Sequence, residues 1–310
     1  MRKKVLMVLS FSFVCLLVIN AQRSAEGEEG YAGSETCAAC HQDRYQSYVE
    51  SPHGIKANPW TPAAKEGCES CHGPGAEHVS AGGGKGVGGI IPLSPKSPTA
   101  AEVKNTICLG CHLKGKVALW DGGSHEGRGL SCPDCHNPHG GYAKILAKPI
   151  EAEVCTQCHK DIKAQLLKSS HHPIREGKMT CTNCHNPHGT ITDKLISANS
   201  LNEKCYECHT EKRGPFLWEH PPAVENCATC HTPHGSSHDK LLVAKRPYLC
   251  QRCHSNSRHP GTLYSLSTTQ VQGDGDIFTL SSNRLYDRSC QNCHSQMHGS
   301  NHPSGKMLHR

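Results

Sequence analysis

Twenty of the chain's 21 cysteines fall into ten Cys-x-x-Cys pairs, and a histidine follows each pair at once. The ten stretches are Cys37-x-x-Cys40-His41, Cys68-x-x-Cys71-His72, Cys108-x-x-Cys111-His112, Cys132-x-x-Cys135-His136 and Cys155-x-x-Cys158-His159. Five more follow: Cys181-x-x-Cys184-His185, Cys205-x-x-Cys208-His209, Cys227-x-x-Cys230-His231, Cys250-x-x-Cys253-His254 and Cys290-x-x-Cys293-His294. Two thiols at this spacing can each take a vinyl group of one haem as a thioether, and the next residue then lies under the iron as an axial ligand. Structural zinc also uses Cys-x-x-Cys pairs, but zinc has no need of a histidine directly after every second cysteine. A disulfide framework would not impose that histidine either. The pattern therefore predicts ten covalently bound c-type haems, with those 20 cysteines and ten histidines as attachment and proximal iron ligands.

Haems also account for an interior that the side chains cannot fill. Hydrophobic residues make up only 35% of the 310, with 4 Phe and 3 Trp, whereas His reaches 24. A globular domain of this length uses more large apolar side chains. The macrocycles are apolar plates that can serve as the core, and folding is expected to be coupled to their attachment. The predicted fold is a multihaem cytochrome c, with short α-helices and irregular loops around a closely spaced ladder of haems and little or no β-sheet.

The first 21 residues read as a cleaved export signal. Arg2, Lys3 and Lys4 form a basic start, Val5–Ile19 an apolar run, and Asn20-Ala21 a cleavage site before Gln22. The run is short for a membrane-spanning anchor, which is the weaker reading. Cys15 lies inside it and is discarded with it. Residues 22–310 then form one decahaem domain built of five two-haem units. The formal charge of +6 falls to +3 without Arg2, Lys3 and Lys4, and roughly twenty haem propionates turn the balance negative. Basic patches interleaved with aromatics are absent, so nucleic-acid binding has no support.

The histidines outside the motifs show the internal repeat. "CHNPHG" occurs verbatim at Cys135–Gly140 and Cys184–Gly189, with "CHTPHG" at Cys230–Gly235. After the even-numbered motifs four, six, eight and ten comes a second histidine: His139, His188 and His234 lie three residues past the motif histidine, and His298 lies four past it. Between each of these motifs and the one before lies a further histidine: His125, His171 or His172, His220 and His259. The first unit fits more loosely, with His53 between its motifs and His78 after them. Two spare histidines per unit make ten, the number of distal ligands that ten bis-histidine haems require. His171 is favoured over His172, because it lies 12 residues after His159 as His53 lies 12 after His41. His238, His302 and His309 are surplus. The second histidine of CHNPHG cannot reach the far face of its own haem, so it is expected to be lent to a different one, with the Pro and Gly turning the chain outward.

Two stretches, "ETCAACHQDRYQSYVE" and "EVCTQCHKDIKAQLLKS", read as short helices beginning at a haem motif. Ala81–Gly89 ("AGGGKGVGG") reads as a flexible loop, and Ser255–Ser289 as a surface loop.

Several segments resemble one family. "GCESCHGPGAEHV" (Gly67–Val79), "SSHHPIREGKMTCTNCHNPHG" (Ser169–Gly189), "EKRGPFLWEHPPAVENCATCHTPHGSSH" (Glu211–His238) and "CHSQMHGSNHPSG" (Cys293–Gly305) are similar to the MtrA/DmsE-type periplasmic decahaem cytochromes. The resemblance covers essentially the whole chain after the export signal. It implies a ladder of bis-histidine haems inserted in an outer-membrane β-barrel porin. Such a conduit passes electrons between periplasmic or inner-membrane redox partners and an extracellular multihaem cytochrome or terminal reductase. With enough histidines to close every iron, the chain is expected to be an electron carrier and not an enzyme. A multihaem reductase with one open haem, and a soluble periplasmic shuttle, are the alternatives.

Overall fold

The computed structural model describes residues 30–140, 145–254, 270–273, 276–279 and 289–309. The export signal, Cys15 and His259 lie outside them. No helix among the described residues is long and apolar enough to cross a membrane.

Regular structure comes in short pieces joined by turns. Among the described residues the α-helices are α1 (Ser34–Ala38), α2 (Gln42–Val49), α3 (Glu69–His72), α4 (Ala76–Ser80), α5 (Ala101–Leu109), α6 (Cys132–Cys135) and α7 (Glu151–Cys155), then α8 (Lys160–Leu166), α9 (Leu201–Tyr206), α10 (Pro221–Glu225) and α11 (Tyr248–Gln251). Three-residue 3₁₀ turns at Cys181–Asn183, Cys227–Thr229 and Cys290–Asn292 carry motifs six, eight and ten. Helices this short gain little from propagation and depend on what they pack against.

The two helices expected to run on through a haem motif are each broken at its histidine. His41 (φ −118°, ψ 44°) separates α1 from α2, and His159 (φ −81°, ψ 67°) separates α7 from α8. A continuous helix would carry the ring away around its surface. Leaving helical geometry at that residue lets the imidazole return beneath the preceding turn.

The chain parts into two compact units, Met1–Val154 and Cys155–Arg310. The boundary falls just before motif five, so no pair of consecutive odd and even motifs is divided. Few apolar side chains among the described residues are buried in either unit. Trp120 and Val154 are buried in the first, and Leu166, Leu242 and Leu308 in the second. So sparse a set cannot be the core of a chain this long, which fits the expectation that macrocycles fill the interior.

The interval expected to be a surface loop contains a small hairpin. β1 (Gln270–Gly273) pairs antiparallel with β2 (Asp276–Thr279), with Val271 opposite Phe278 and Gln272 opposite Ile277. The sequence Val-Gln-Gly-Asp-Gly-Asp-Ile-Phe supplies β-favouring residues on either side of a Gly/Asp turn. The strands are too short for alternation to stand out in the sequence.

Candidate haem sites

Every motif folds into one helical turn. In all ten, the histidine amide donates to the carbonyl of the first cysteine, at 2.9 to 3.1 Å: His41 to Cys37, His72 to Cys68, and so on to His294 and Cys290. This turn brings residues i and i+3 to one face, so both thiols point the same way. The 20 cysteines of the motifs are all free, without disulfides among the described residues. Nor do any three His, Cys, Asp or Glu side chains among them converge as a metal cluster. A structural zinc centre needs four such ligands.

Histidines instead face one another in twos. In the first unit, His78 lies 6.5 Å from His41 between ring centroids, His53 6.0 Å from His112, and His139 6.1 Å from His72. In the second, His172 lies 6.4 Å from His209, His234 6.0 Å from His185, His220 6.3 Å from His254, and His298 6.2 Å from His231. Iron–nitrogen bonds of about 2 Å on each side of one iron, with each nitrogen about 1.1 Å from its ring centre, place the centroids about 6.2 Å apart. The residues therefore fit a six-coordinate haem iron held between two imidazoles. An eighth pair, His294 and His309, is closer at 4.6 Å.

The pairs obey an order in the sequence. His139, His234 and His298, the second histidines of motifs four, eight and ten, each face the motif histidine of two motifs earlier. His53, His172 and His220, from the linkers after motifs one, five and seven, each face the motif histidine of two motifs later. The terminal sites close locally, with His78 facing back to His41 and His309 facing its own motif's His294.

His172, and not His171, stands opposite a motif histidine. Both nitrogens of His171 are engaged, Nδ1 with the Lys168 carbonyl (2.6 Å) and Nε2 with the Glu176 carboxylate (3.1 Å), which also holds its pKa above the usual value. A backbone bridge between Ser170 and Ser236 sets this register, as the bridge between Trp218 and Ser300 does for His220. Each facing histidine lies two residues after its bridge and directly before a proline, so His-Pro was the legible signal and the 12-residue spacing misled. His309, counted as surplus, faces His294. His259 was expected opposite a motif histidine, but lies outside the described residues, and His220 occupies the position facing His254. His125 and His188 lie one in each unit, as do the remaining motif histidines His136 and His159.

In seven of the eight pairs, one imidazole is fixed through its Nδ1–H, which donates to a backbone carbonyl. His72 reaches Ile91 (3.0 Å), His185 Lys194 (2.8 Å), His231 Lys240 (2.8 Å) and His294 Met307 (2.5 Å). From the facing side, His78 reaches Val87 (3.0 Å), His172 Pro233 (2.7 Å) and His220 Met297 (3.0 Å). Such a bond fixes the tautomer and leaves the Nε2 lone pair for the iron. Two of these acceptors sit in strained turns of the repeated sequence Asp-Lys-Leu. Lys194, Leu195, Lys240 and Leu241 all have φ of 56° to 58°, a left-handed geometry costing about 1–2 kcal/mol for each non-glycine residue. The Gly-rich loop plays the same part for His78. Gly88 has φ +66°, and a Cβ there would lie 2.2 Å from the His78 amide nitrogen.

Burial keeps the lent histidines neutral. It pushes the pKa of His139 and of His298 down to about 4, and that of His234 below its usual value, each aided by nearby cationic groups. Neutral imidazole is the form that binds iron. The glycine that follows has its own reason. A Cβ on Gly235 would lie 2.0 Å from the Gln165 carbonyl, so only glycine lets the His234 segment pack on α8.

Three stretches, residues 125–164, 171–214 and 220–259, match the family model described as a doubled CXXCH motif. Multiheme cytochrome MtrA of Shewanella baltica (strain OS185) is 42% identical over 292 residues, spanning 93% of this chain and 85% of that protein. The chain belongs to the MtrA family of multihaem cytochromes. Its CXXCH pairs hold covalent c-type haems, and it is an electron carrier and not an enzyme.

Within this family member, side chains also brace consecutive motifs to one another. In motifs one, three and seven, the side chain three residues before the first cysteine accepts from the amide of the first cysteine of the next motif. Ser34 Oγ accepts from Cys68 (3.0 Å), Asn105 Oδ1 from Cys132 (2.9 Å) and Asn202 Oδ1 from Cys227 (2.8 Å). Both asparagines are buried, and their amides donate onward, Asn105 to the Leu130 carbonyl (3.1 Å) and Asn202 to that of Val224 (2.8 Å). The first thiols of the braced motifs accordingly meet, Cys37 with Cys68, Cys108 with Cys132 and Cys205 with Cys227, and Cys250 meets Cys290 without such a brace. These braces were not legible in the sequence, because each joins residues 25 to 34 positions apart. Asn202→Ala leaves the Cys227 amide and the Val224 carbonyl unsatisfied and is expected to cost about 1–3 kcal/mol. Thermal unfolding of the haem-loaded protein, followed in the Soret band, checks this.

Proposed function

We propose that this chain is an exported decahaem conduit that carries electrons across the outer membrane within a β-barrel porin. The facing histidine pairs carry the reading: seven of the eight have the spacing that puts one histidine on either face of an iron, while His294 and His309, at 4.6 Å, would part by about 1.6 Å to admit one. Haem iron supplies a one-electron couple when bound, and imidazoles on both faces leave no position for substrate. The proximal roles fall to the ten motif histidines. The distal roles fall to His78 for the iron of His41, His139 for His72, His53 for His112, His234 for His185, His172 for His209, His298 for His231, His220 for His254 and His309 for His294. His125 and His188 supply the two remaining irons, those of His136 and His159. His309 thereby takes the place first given to His259, and His172 that of His171.

Residues 1–21 direct export, and the remaining chain acts as one decahaem domain of five two-haem units. Its partners are the porin, an extracellular multihaem cytochrome or terminal reductase on one side, and periplasmic or inner-membrane redox proteins on the other. The likeness to the Shewanella protein over nearly the whole chain supports an assembly of this type. Fractionation of cells producing the protein tests it. The proposal expects recovery with the outer membrane and a β-barrel protein co-purifying in equal amount. Recovery entirely in soluble periplasm, without such a partner, contradicts it in favour of a diffusing shuttle.

A further inference from the structure

Among the facing pairs, the one formed by His53 and His112 differs from the others in two independent respects. It is the pair in which neither Nδ1 has a backbone carbonyl or carboxylate at hydrogen-bond distance among the described residues, whereas each of the other seven has one such anchor. Its rings are also nearly perpendicular, at 75°, against 7° to 21° in five pairs and 50° to 51° in the other two.

Both differences act on iron in the same direction. An imidazole that donates its Nδ1–H to a carbonyl gains basicity and gives more electron density to the metal, which stabilises iron(III). Without that donation the ferric state loses stabilisation. Parallel imidazole planes lift the degeneracy of the two iron dπ orbitals that overlap with the rings, and the ferric hole settles in the higher one. Crossed planes leave those orbitals nearly equal in energy, so that part of the ferric stabilisation is lost as well. His53 is half-buried in a 3₁₀ turn at Pro52–Gly54, which further disfavours the more highly charged oxidation state.

We propose that His53 and His112 hold the most oxidising iron among these eight pairs, making the haem attached at Cys108 and Cys111 the site among them where an electron rests longest. This rests on the bis-histidine reading above. The arrangement gives the conduit a step partway along motifs one to four, and a potential gradient that is not monotonic.

EPR-monitored reductive titration of the haem-loaded protein with dithionite tests the inference without any variant. Near-degenerate dπ orbitals spread the g values, so one low-spin ferric signal is expected at distinctly lower field than the rest. It should integrate to a single spin per chain and disappear first as reductant is added. His53→Ala should then remove that signal alone and produce one high-spin ferric centre. The inference is overturned if no low-field signal stands apart, if that signal is among the last to be reduced, or if it survives in His53→Ala. Should His53→Ala keep every iron low-spin, the bis-histidine assignment of this site fails, and the inference with it.

Discussion

Replacing His139 with alanine is expected to open an iron that His139's own motif does not hold. The ring of His139 lies 6.1 Å from that of His72 with only 7° between their planes, while the neighbouring His136 belongs to the turn that begins at Cys132. The substitution leaves Cys132, Cys135 and His136 untouched, so the haem count stays unchanged. The iron of motif two loses its distal imidazole. One high-spin ferric centre per chain should appear by EPR, and the reduced protein should bind one carbon monoxide where the unaltered protein binds none. The open sixth position should also make that iron, once reduced, reactive toward oxygen. If every iron in the variant stays low-spin, His139 is not lent across motifs.

Deleting the last two residues should have an effect of equal size at the other end of the chain. His309 faces His294 at 4.6 Å, and the segment before it is tied to motif ten. The Met307 carbonyl accepts from His294 Nδ1, and the buried Leu308 accepts from the Gln296 amide (3.0 Å). Leu308 itself is left-handed (φ 54°), which turns the following residue back toward His294. Removing His309 and Arg310 is thus expected to leave the haem attached and to create one high-spin iron. His259→Ala serves as the opposite case. His220 faces His254, so that variant should retain every low-spin signal. A high-spin iron in His259→Ala, with none in the truncated chain, would reverse the two assignments.

What could be read from the sequence follows from how local each feature is. The haem attachment sites were legible because Cys, Cys and His act within a single turn, whose hydrogen bond runs from His41 to Cys37 and recurs in all ten motifs. The second histidines of the even motifs, His139, His188, His234 and His298, were legible for the same reason, each lying three or four residues past its motif histidine. Which of His171 and His172 faces outward depends on the Ser170–Ser236 bridge, a contact 66 residues away in the chain that no local pattern reveals. His309 was counted as surplus, because nothing local shows the left-handed turn at Leu308 that brings it back to His294. The Nδ1 acceptors are backbone carbonyls, and only the repeated Asp-Lys-Leu at 193–195 and 239–241 hinted at them. The broken helices at His41 and His159 were hidden because helix propensity does not register what an axial ligand requires.

The central claim is that ten haems are each closed by two histidines. Spin quantitation of the fully oxidised, haem-loaded protein by EPR tests it most directly. The account predicts low-spin ferric signals that integrate to ten spins per chain, with no high-spin signal beyond traces. A high-spin signal at one spin per chain or more, or a low-spin total clearly short of ten, would contradict it.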